Sequence, residues 1–310
     1  MTTLERNRLA INEYSNDGLR LRVAAPPPDL LPYISALYRT EVEDGVTVED
    51  WLPPEEANLR CGKASTYVAC IGHDAPVSVP GDVLSGPTDR VTRLKIGGGS
   101  FWGIGLTPAG WARFVRIPAS EMANRFTAIE TSAADQALGR MLRTLREDIT
   151  DMEEASDLVS STFRALPGPR LSAQEAIEQV HRTLLSPETT SVNDIVQATA
   201  MNPRTFVRFC QRYFGFSPST LLRRQRFLRS LGKYMLDPSM RWIHSLDTHY
   251  WDQAQFIRDF RATMTMTPGE YASLPHPIVG AAVAVTNAAT GVAMQALYHS
   301  GAQEESETGL

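Results

Sequence analysis

The feature that most constrains this chain is a short segment that occurs twice, fifty residues apart. The first copy, FVRFCQRYFGFSP, occupies residues 206–218, and the second, FIRDFRATMTMTP, occupies residues 256–268. Phenylalanine, arginine and proline recur at the same offsets in both copies. Such internal self-similarity predicts that the chain builds one small structural unit twice.

Each copy is predicted to be the second helix of a helix-turn-helix. Asn202 before Pro203 predicts the start of a helix that ends near Gly215, and Asp252 predicts the start of one that reaches about Met264. Shorter helices are predicted at 192–198 and 241–247, and the turns TAMN and THYW join them to the longer helices. Two helices joined by a turn of about three or four residues form this motif.

A helical wheel gives each long helix an apolar face and an outward face. Phe206, Cys210 and Phe214 form the apolar stripe of the first copy, which predicts that this side is buried. The outward side chains of the two copies are Arg204, Val207, Arg208 and Gln211, then Gln253, Ala254, Ile257, Arg258 and Arg261. Arginine suits guanine and glutamine suits adenine, because each side chain can make two hydrogen bonds to the base edge in the major groove.

The charge pattern is also informative. Residues 191–232 hold seven arginines and one acidic residue, although the whole chain has a net charge of −5. Such a block indicates either a polyanionic partner or a solvated helix face, and the sequence leaves both open. We predict that the arginines outside the base-reading positions contact phosphates, which require only positive charge. These are Arg212, Arg223, Arg224 and Arg261.

The predicted connecting helix, 219–236, sets the distance between the two units. At about 1.5 Å per residue it spans roughly 27 Å. Two recognition helices on one side of a duplex lie about 34 Å apart, so the connecting helix together with the helix widths at its ends can place both in successive major grooves.

The chain as a whole is predicted to be α+β, with a β-rich N-terminal barrel or sandwich domain with trailing helices and an all-α seven-helix domain. The first domain covers residues 1–165, the helical domain covers 172–272, and 275–310 form an alanine-rich extension with an acidic tail. The segment ALPGPR at 165–170 is the predicted boundary because proline and glycine disfavour regular structure. Ser172 and Glu175 predict a capping box at the first helix of the second domain, and Ser191 and Asp194 predict a weaker one at the next helix.

The N-terminal strands are predicted from short runs rich in β-branched and aromatic residues. These runs are PYISALYRTEV, VTVEDW, STYVACI, RVTRLKI and FWGIGL. The glycine-rich stretch at 97–105 is predicted to be a hairpin turn that leads into a strand. The nearby Phe101, Trp102 and Trp111 either fill the core or line a pocket for a small ligand.

Residues 172–272 resemble the AraC/XylS-type DNA-binding domain, which has seven helices and two helix-turn-helix units. The likeness is carried by NPRTFVRFCQRYFGFSP and by YWDQAQFIRDFRATMTMTPGEY. The resemblance implies sequence-specific control of transcription, with an N-terminal domain that binds an effector or mediates self-association. It places Arg204, Thr205, Val207 and Arg208, and Gln253, Ala254, Ile257 and Arg258, where the family's two recognition helices face DNA.

Three residues of the second copy depart from the family pattern. His249 and Thr265 stand where the family usually has glycine, and Asp259 places an acidic side chain close to the presumed groove. A residue other than glycine at a left-handed position is strained. We therefore expect the second unit to bind DNA more weakly than the first.

Other function classes are disfavoured by the sequence. His73 is the single histidine of residues 1–170, and Cys61, Cys70 and Cys210 form no CxxC pair. No metal site, cofactor or nucleophile elbow is predicted, so we expect no enzyme, and the sparse cysteines favour a reducing, cytoplasmic location. The apolar stretch at 278–298 is predicted to be a docked or loose helix rather than a membrane span.

The predicted partners follow from these interpretations. They are double-stranded DNA, a small-molecule effector, RNA polymerase and a second copy of the chain in a homodimer, with no membrane. The alternative is an interaction protein whose helix-turn-helix domain has lost its affinity for DNA.

Overall fold

The computed structural model describes residues 10–129, 133–166, 172–239 and 241–290. Within this part of the chain the N-terminal strands form one antiparallel sheet. The strands are β1 (Ile11–Asn16), β2 (Leu19–Ala24), β3 (Ile34–Leu52), β4 (Ala57–Ala64), β5 (Tyr67–Ile71), β6 (Val77–Ser78), β7 (Asp82–Ser85), β8 (Thr92–Leu106) and β9 (Phe126–Ala128).

Short helices follow β8, and longer ones follow the sheet. The helices of the N-terminal half are α1 (Pro108–Gly110), which continues into a π-helical turn (Trp111–Val115), α2 (Ala119–Met122), α3 (Ala133–Glu147) and α4 (Met152–Ala165). The later helices are α5 (Gln174–Leu185), α6 (Val192–Thr199), α7 (Pro203–Phe214), α8 (Pro218–Leu236), α9 (Trp242–Ser245), α10 (Gln253–Met264), α11 (Pro268–Ala272) and α12 (Pro277–Thr290).

The sheet is organised around the two long strands β3 and β8, which pair with each other over most of their length. The strand order is β1-β2-β3-β8-β4-β7-β9, and β5 joins the other end of β8 and carries β6. The strand order begins at β1 and ends at β9, and these two strands do not pair within the described residues. The antiparallel β-rich architecture is therefore confirmed, but the sheet is open rather than a closed barrel.

The glycine-rich stretch was wrongly predicted to be a hairpin turn. It lies inside β8, where the pairing with β3 is interrupted between Val42 and Thr47 and the extra β3 residues bulge opposite Gly98. Glycine is needed further along β8 for a different reason. A Cβ atom added to Gly103 would lie 2.0 Å from the ring of Tyr38, so the absence of a side chain leaves room for that ring.

Seven helices occupy residues 172–272 in the described part of the chain, as predicted. The caps predicted for α6, α7, α8 and α10 are present, because the side chains of Ser191, Asn202, Ser217 and Asp252 each accept a hydrogen bond from a backbone N–H of the first turn. The capping box predicted at Ser172 is absent: α5 begins after Ala173, which makes no side-chain cap.

Hydrophobic packing runs continuously from the sheet into the helices. One cluster joins the sheet and α3–α4 to α5, α6 and α7, and a second surrounds α8, α10, α11 and α12. Most of the predicted boundary at 165–170 lies outside the described residues. The N-terminal residues 1–9 and the acidic tail lie outside them entirely. Among the described helices, none is long and apolar enough to cross a membrane.

Candidate nucleic-acid interface

Helix α7 exposes one face and buries the other, as the wheel predicts. Arg204, Thr205, Val207 and Arg208 are all exposed. The opposite face is closed by the stripe of Phe206, Cys210 and Phe214, which is buried in the first hydrophobic cluster. Arg204 and Arg208 thus project outward, and neither forms an ion pair with another described residue.

The two ends of α7 are fixed by local chemistry. The Asn202 side chain accepts a hydrogen bond from the backbone N–H of Arg204 at 2.9 Å, and Pro203 occupies the first helical turn. Gly215 ends the helix in the left-handed conformation, with φ of 86°. Burial raises the pKa of the Cys210 thiol to about 12, so this cysteine remains a protonated core residue.

Helix α10 repeats this plan fifty residues later. Its exposed side chains include Gln253, Ala254 and Arg258, and Ile257 is half-buried. Asp252 accepts a hydrogen bond from the backbone N–H of Gln255 at 2.7 Å. The buried stripe of this helix is Phe256, Phe260 and Met264, all fully enclosed.

Two of the three departures from the family pattern have a different consequence from the one expected. His249 does not adopt the left-handed backbone conformation; its N–H and ring nitrogen Nδ1 both contact the Asp247 carboxylate. Asp259 is half-buried, and burial raises the pKa of its carboxyl group even though a hydrogen bond from Tyr250 acts in the opposite direction. Its charge is therefore turned partly into the protein, although three arginines nearby favour ionisation. Thr265 does carry the expected strain, with φ of 62°.

The arginines of α7, α8 and α10 separate into two groups. The exposed group consists of Arg204, Arg208, Arg212, Arg223, Arg258 and Arg261. The other group is structural. Arg229 forms a buried ion pair with Asp247, and Arg226 lies over the ring of Tyr250 at 5.5 Å.

The phosphate contact predicted for Arg224 is wrong. This side chain is only 6% exposed, and its Nη1 donates a hydrogen bond to the backbone oxygen of Thr88 in the N-terminal domain. The basic block therefore serves two purposes. Its exposed arginines are available to bind an anion, and its buried arginines hold α8 against neighbouring parts of the protein.

Sequence reasoning missed Trp251, which directly precedes the cap of α10. Its side chain is 91% exposed, far more than any other large hydrophobic residue in the described part of the chain. Tryptophan is usually buried at least in part, so this position is unusual. The signal was present in the sequence, since Trp251 stands in the turn between the two helices of the second unit.

A cavity of about 140 Å³ lies against the sheet in the N-terminal domain. Phe101 and Trp102 line it, as the pocket interpretation predicts. Trp111 does not; it is buried beside a separate small recess, and its Nε1 donates to the backbone oxygen of Ile117 at 2.8 Å. The polar end of the cavity holds Arg60, whose Nη2 contacts both carboxylate oxygens of Glu55 at 2.7 and 2.8 Å.

Potential metal ligands in the described residues form no cluster that could bind a metal ion. No group of three or more His, Cys, Asp or Glu side chains is arranged there to hold a metal ion. All three cysteines are buried and unpaired with one another, and burial raises the pKa of the Cys61 thiol to about 12.

Comparison with known families decides what the helical region is. A family model described as a helix-turn-helix domain matches residues 195–273, which run from α6 to just beyond α11. This is an AraC-type helix-turn-helix domain. The match begins within α6 and includes the rest of both helix-turn-helix units, and it supports a DNA-binding transcription regulator. A second model, described as Domain of unknown function (DUF6597), matches residues 22–128.

Solved structures with a related arrangement share little sequence with the chain. ToxT from Vibrio cholerae O395 aligns over 83% of this chain and 98% of its own, at 14% identity and a TM-score of 0.39. The AraC-like transcriptional activator CuxR aligns over 73% of this chain and 86% of its own, at 14% identity and a TM-score of 0.30. With scores this low, neither alignment supports a functional argument. No curated protein matches the sequence.

Proposed function

We propose that the chain is a one-component, sequence-specific transcription regulator that reads DNA with α7 and α10. The observation that carries this proposal is the outward face of α7, where Arg204 and Arg208 are exposed above a fully buried stripe. Thr205 and Val207 lie on the same face. Arginine can donate two hydrogen bonds to guanine, and the valine side chain suits a thymine methyl group.

The second unit supplies a less basic set of base contacts from Gln253, Ala254, Ile257 and Arg258. Gln253 is exposed at the start of α10, where a side chain can meet adenine. Ile257 is half-buried, so it offers only part of its side chain to a base. Asp259 is turned partly into the protein, which lessens the electrostatic objection to this helix entering a groove.

Phosphate contacts come from exposed arginines beside the recognition helices. Arg212 lies at the end of α7, Arg223 near the start of α8, and Arg261 near the end of α10. These contacts position the protein on the duplex without reading its sequence. The regulator would act on RNA polymerase at a promoter, and a homodimer would present four helix-turn-helix units to the DNA.

The N-terminal domain is the proposed sensor or dimerisation element. Its cavity is lined mainly by apolar side chains and closed at one end by a polar group, which is the usual character of a small-ligand site. Glu55 lines that cavity, and its neighbour Glu56 contacts His181 of α5. The cavity rim is therefore bonded directly to the helical region.

Selection of bound genomic fragments, followed by footprinting, tests the proposal. We expect one class of fragments to be enriched, with protection over two successive major grooves on one side of the duplex. Arg208→Ala should weaken the selected site by about 1–3 kcal/mol and relax preference at one base pair. Arg164→Ala is the matched control, because this exposed arginine pairs with Asp29 away from the interface. If no fragment is enriched at low salt, the chain is not a DNA-binding regulator.

A further inference from the structure

One wall of the cavity in the N-terminal domain is supplied by the opposite end of the chain. Ile278, Val279 and Ala282 of α12 line it, together with side chains from β2, β3, β4, β5 and β8. Helix α12 follows the AraC-type domain, since the family match ends at residue 273. The helix is therefore an addition to that domain that folds back over the sheet.

A single carboxylate fastens α12 in this position. Asp50 of β3 is fully buried, and its Oδ2 accepts hydrogen bonds from the backbone N–H groups of Ile278 and Val279 at 2.8 and 2.9 Å. Its Oδ1 lies 3.1 Å from Nδ1 of His276. The first N–H groups of a helix have no partner within the helix, so Asp50 acts as its cap from another domain.

The two sides of α12 pack against different parts of the protein. Ala281 and Val285 lie in the hydrophobic cluster of the sheet. Val279 and Val283 lie in the cluster that also holds Phe227, Phe260 and Tyr271, which is the core of the second helix-turn-helix unit. Helix α12 therefore contributes side chains both to the cavity wall and to the cluster that it shares with α8, α10 and α11.

The dimensions of the cavity limit the size of a ligand. A cavity of roughly 150 Å³ holds a benzene-sized molecule, and this one is about 140 Å³. Its walls are largely aliphatic and aromatic, with Leu21, Leu94, Ile96 and Phe101 among them. A single ring with a small substituent matches this volume.

The charges in the cavity limit the class of ligand. Arg60 is the cationic group, but Glu55 already neutralises it through two contacts, and the Tyr38 hydroxyl accepts from its Nε at 2.8 Å. An anionic ligand would have to displace Glu55, and separation of such an ion pair is costly. Burial raises the pKa of Tyr67, another lining residue, so its hydroxyl stays protonated and can donate to a neutral oxygen.

We propose that this cavity binds a small uncharged molecule with a ring-sized apolar body in contact with α12, and that its occupancy shifts α12 against the second helix-turn-helix unit. The regulatory half of this inference rests on the proposed function, because it takes the AraC-type domain as the part that responds. The binding half does not require DNA.

The first test measures binding by the purified full-length chain without DNA. We expect p-cresol to raise the thermal unfolding midpoint and to show saturation-transfer contacts with the protein, whereas benzoate at the same concentration does neither. Ala282→Phe places a ring in the cavity and should abolish both effects. Ala284→Phe makes the same change at an exposed position of the same helix and should leave them intact. Ala282→Leu, a smaller change, keeps the comparison valid if the phenylalanine variant does not fold.

Three outcomes would overturn the binding half: no binding of p-cresol or toluene to the parent chain, stronger binding of benzoate than of p-cresol, or unchanged binding in both Ala282 variants.

The second test is amide hydrogen exchange with saturating p-cresol. We expect altered exchange in 277–287 and in 253–271, and binding without any change in 253–271 would overturn the coupling. Failure to bind DNA would overturn the proposed function and leave these results unaffected.

Discussion

Nε2 of His181 lies 2.6 Å from Oε1 of Glu56, and this buried contact joins α5 to the rim of the cavity in the N-terminal domain. Removal of one partner of a hydrogen bond to a charged group costs about 1.5–3 kcal/mol. We therefore expect His181→Ala to lower the free energy of unfolding by about that amount, measured by urea denaturation. His73→Ala is the control, because His73 is exposed and should change stability by less than about 0.5 kcal/mol. Equal effects of the two substitutions would contradict the structural role of the contact.

The left-handed ends of α7 and α10 offer a reciprocal test. Thr265 has φ of 62°, where a side chain costs about 1–2 kcal/mol, so Thr265→Gly should raise the melting temperature. Gly215→Thr should lower it by more, because a Cβ atom there would lie 2.8 Å from Cγ of Pro87 in addition to the backbone strain. Calorimetry of the two variants measures both effects. A Thr265→Gly variant less stable than the parent would show that the threonine side chain makes contacts that outweigh its strain.

The adjacent residues Arg223 and Arg224 should behave differently. Arg223 is exposed, and its replacement by alanine should weaken binding to all DNA sequences and reduce the slope of log affinity against log salt by about one unit. Arg224→Ala removes the hydrogen bond to Thr88 and should lower stability while leaving that slope unchanged. Fluorescence anisotropy over a range of salt concentrations separates the two. A reduced slope for Arg224→Ala would mean that this side chain reaches DNA after all.

Trp251 should report on DNA binding directly. Because its indole is nearly fully exposed and precedes α10, the emission spectrum should shift when a selected duplex is added. Trp251→Ala should remove that shift and weaken binding by at least about 1 kcal/mol, roughly fivefold, whereas Trp251→Phe should retain most of the affinity. Trp242→Phe changes a tryptophan stacked on Tyr234 inside the second unit and serves as the spectroscopic control. An unchanged spectrum at saturating DNA would place Trp251 outside the interface.

The buried pair of Arg229 and Asp247 predicts a dependence of stability on pH. Burial alone would raise the pKa of Asp247, but hydrogen bonds from Arg229 and His249 hold it below the ordinary value. A depressed carboxyl pKa stabilises the fold above the unfolded value of about 3.9, and that contribution is lost as the pH falls through the folded pKa. Asp247→Asn should therefore be destabilised by roughly 3–5 kcal/mol at neutral pH, and the difference from the parent should shrink below about pH 4. A difference that is constant from pH 3 to pH 7 would contradict this origin.

The helices of residues 172–272 could be predicted because their signals are local. Asn202, Ser217 and Asp252 each cap a helix within a few residues of their own position, so no knowledge of the rest of the fold is needed. Gly97–99 shows the opposite case. Local turn chemistry suggested a hairpin, but the bulge in β3 that accommodates these glycines lies more than fifty residues earlier.

The candidate interface was predictable where it depends on a single helix and not where it depends on distant residues. The wheel correctly separated Arg204 and Arg208 from the buried stripe, because the periodicity of one helix decides which side faces the core. It could not show that Arg224 is buried, since its partner Thr88 lies 136 residues away in another domain. The attachment of α12 to Asp50 could not be predicted for the same reason, because Asp50 and Ile278 are 228 positions apart in the sequence.

The valines on the inner side of α12 set a limit on how this protein can be divided. A fragment that stops after Ser273 would contain the whole matched helix-turn-helix segment, yet it would remove Val279 and Val283 from the cluster that holds Phe260 and Tyr271. We therefore expect a fragment that extends through α12 to be more stable than one that ends at Ser273.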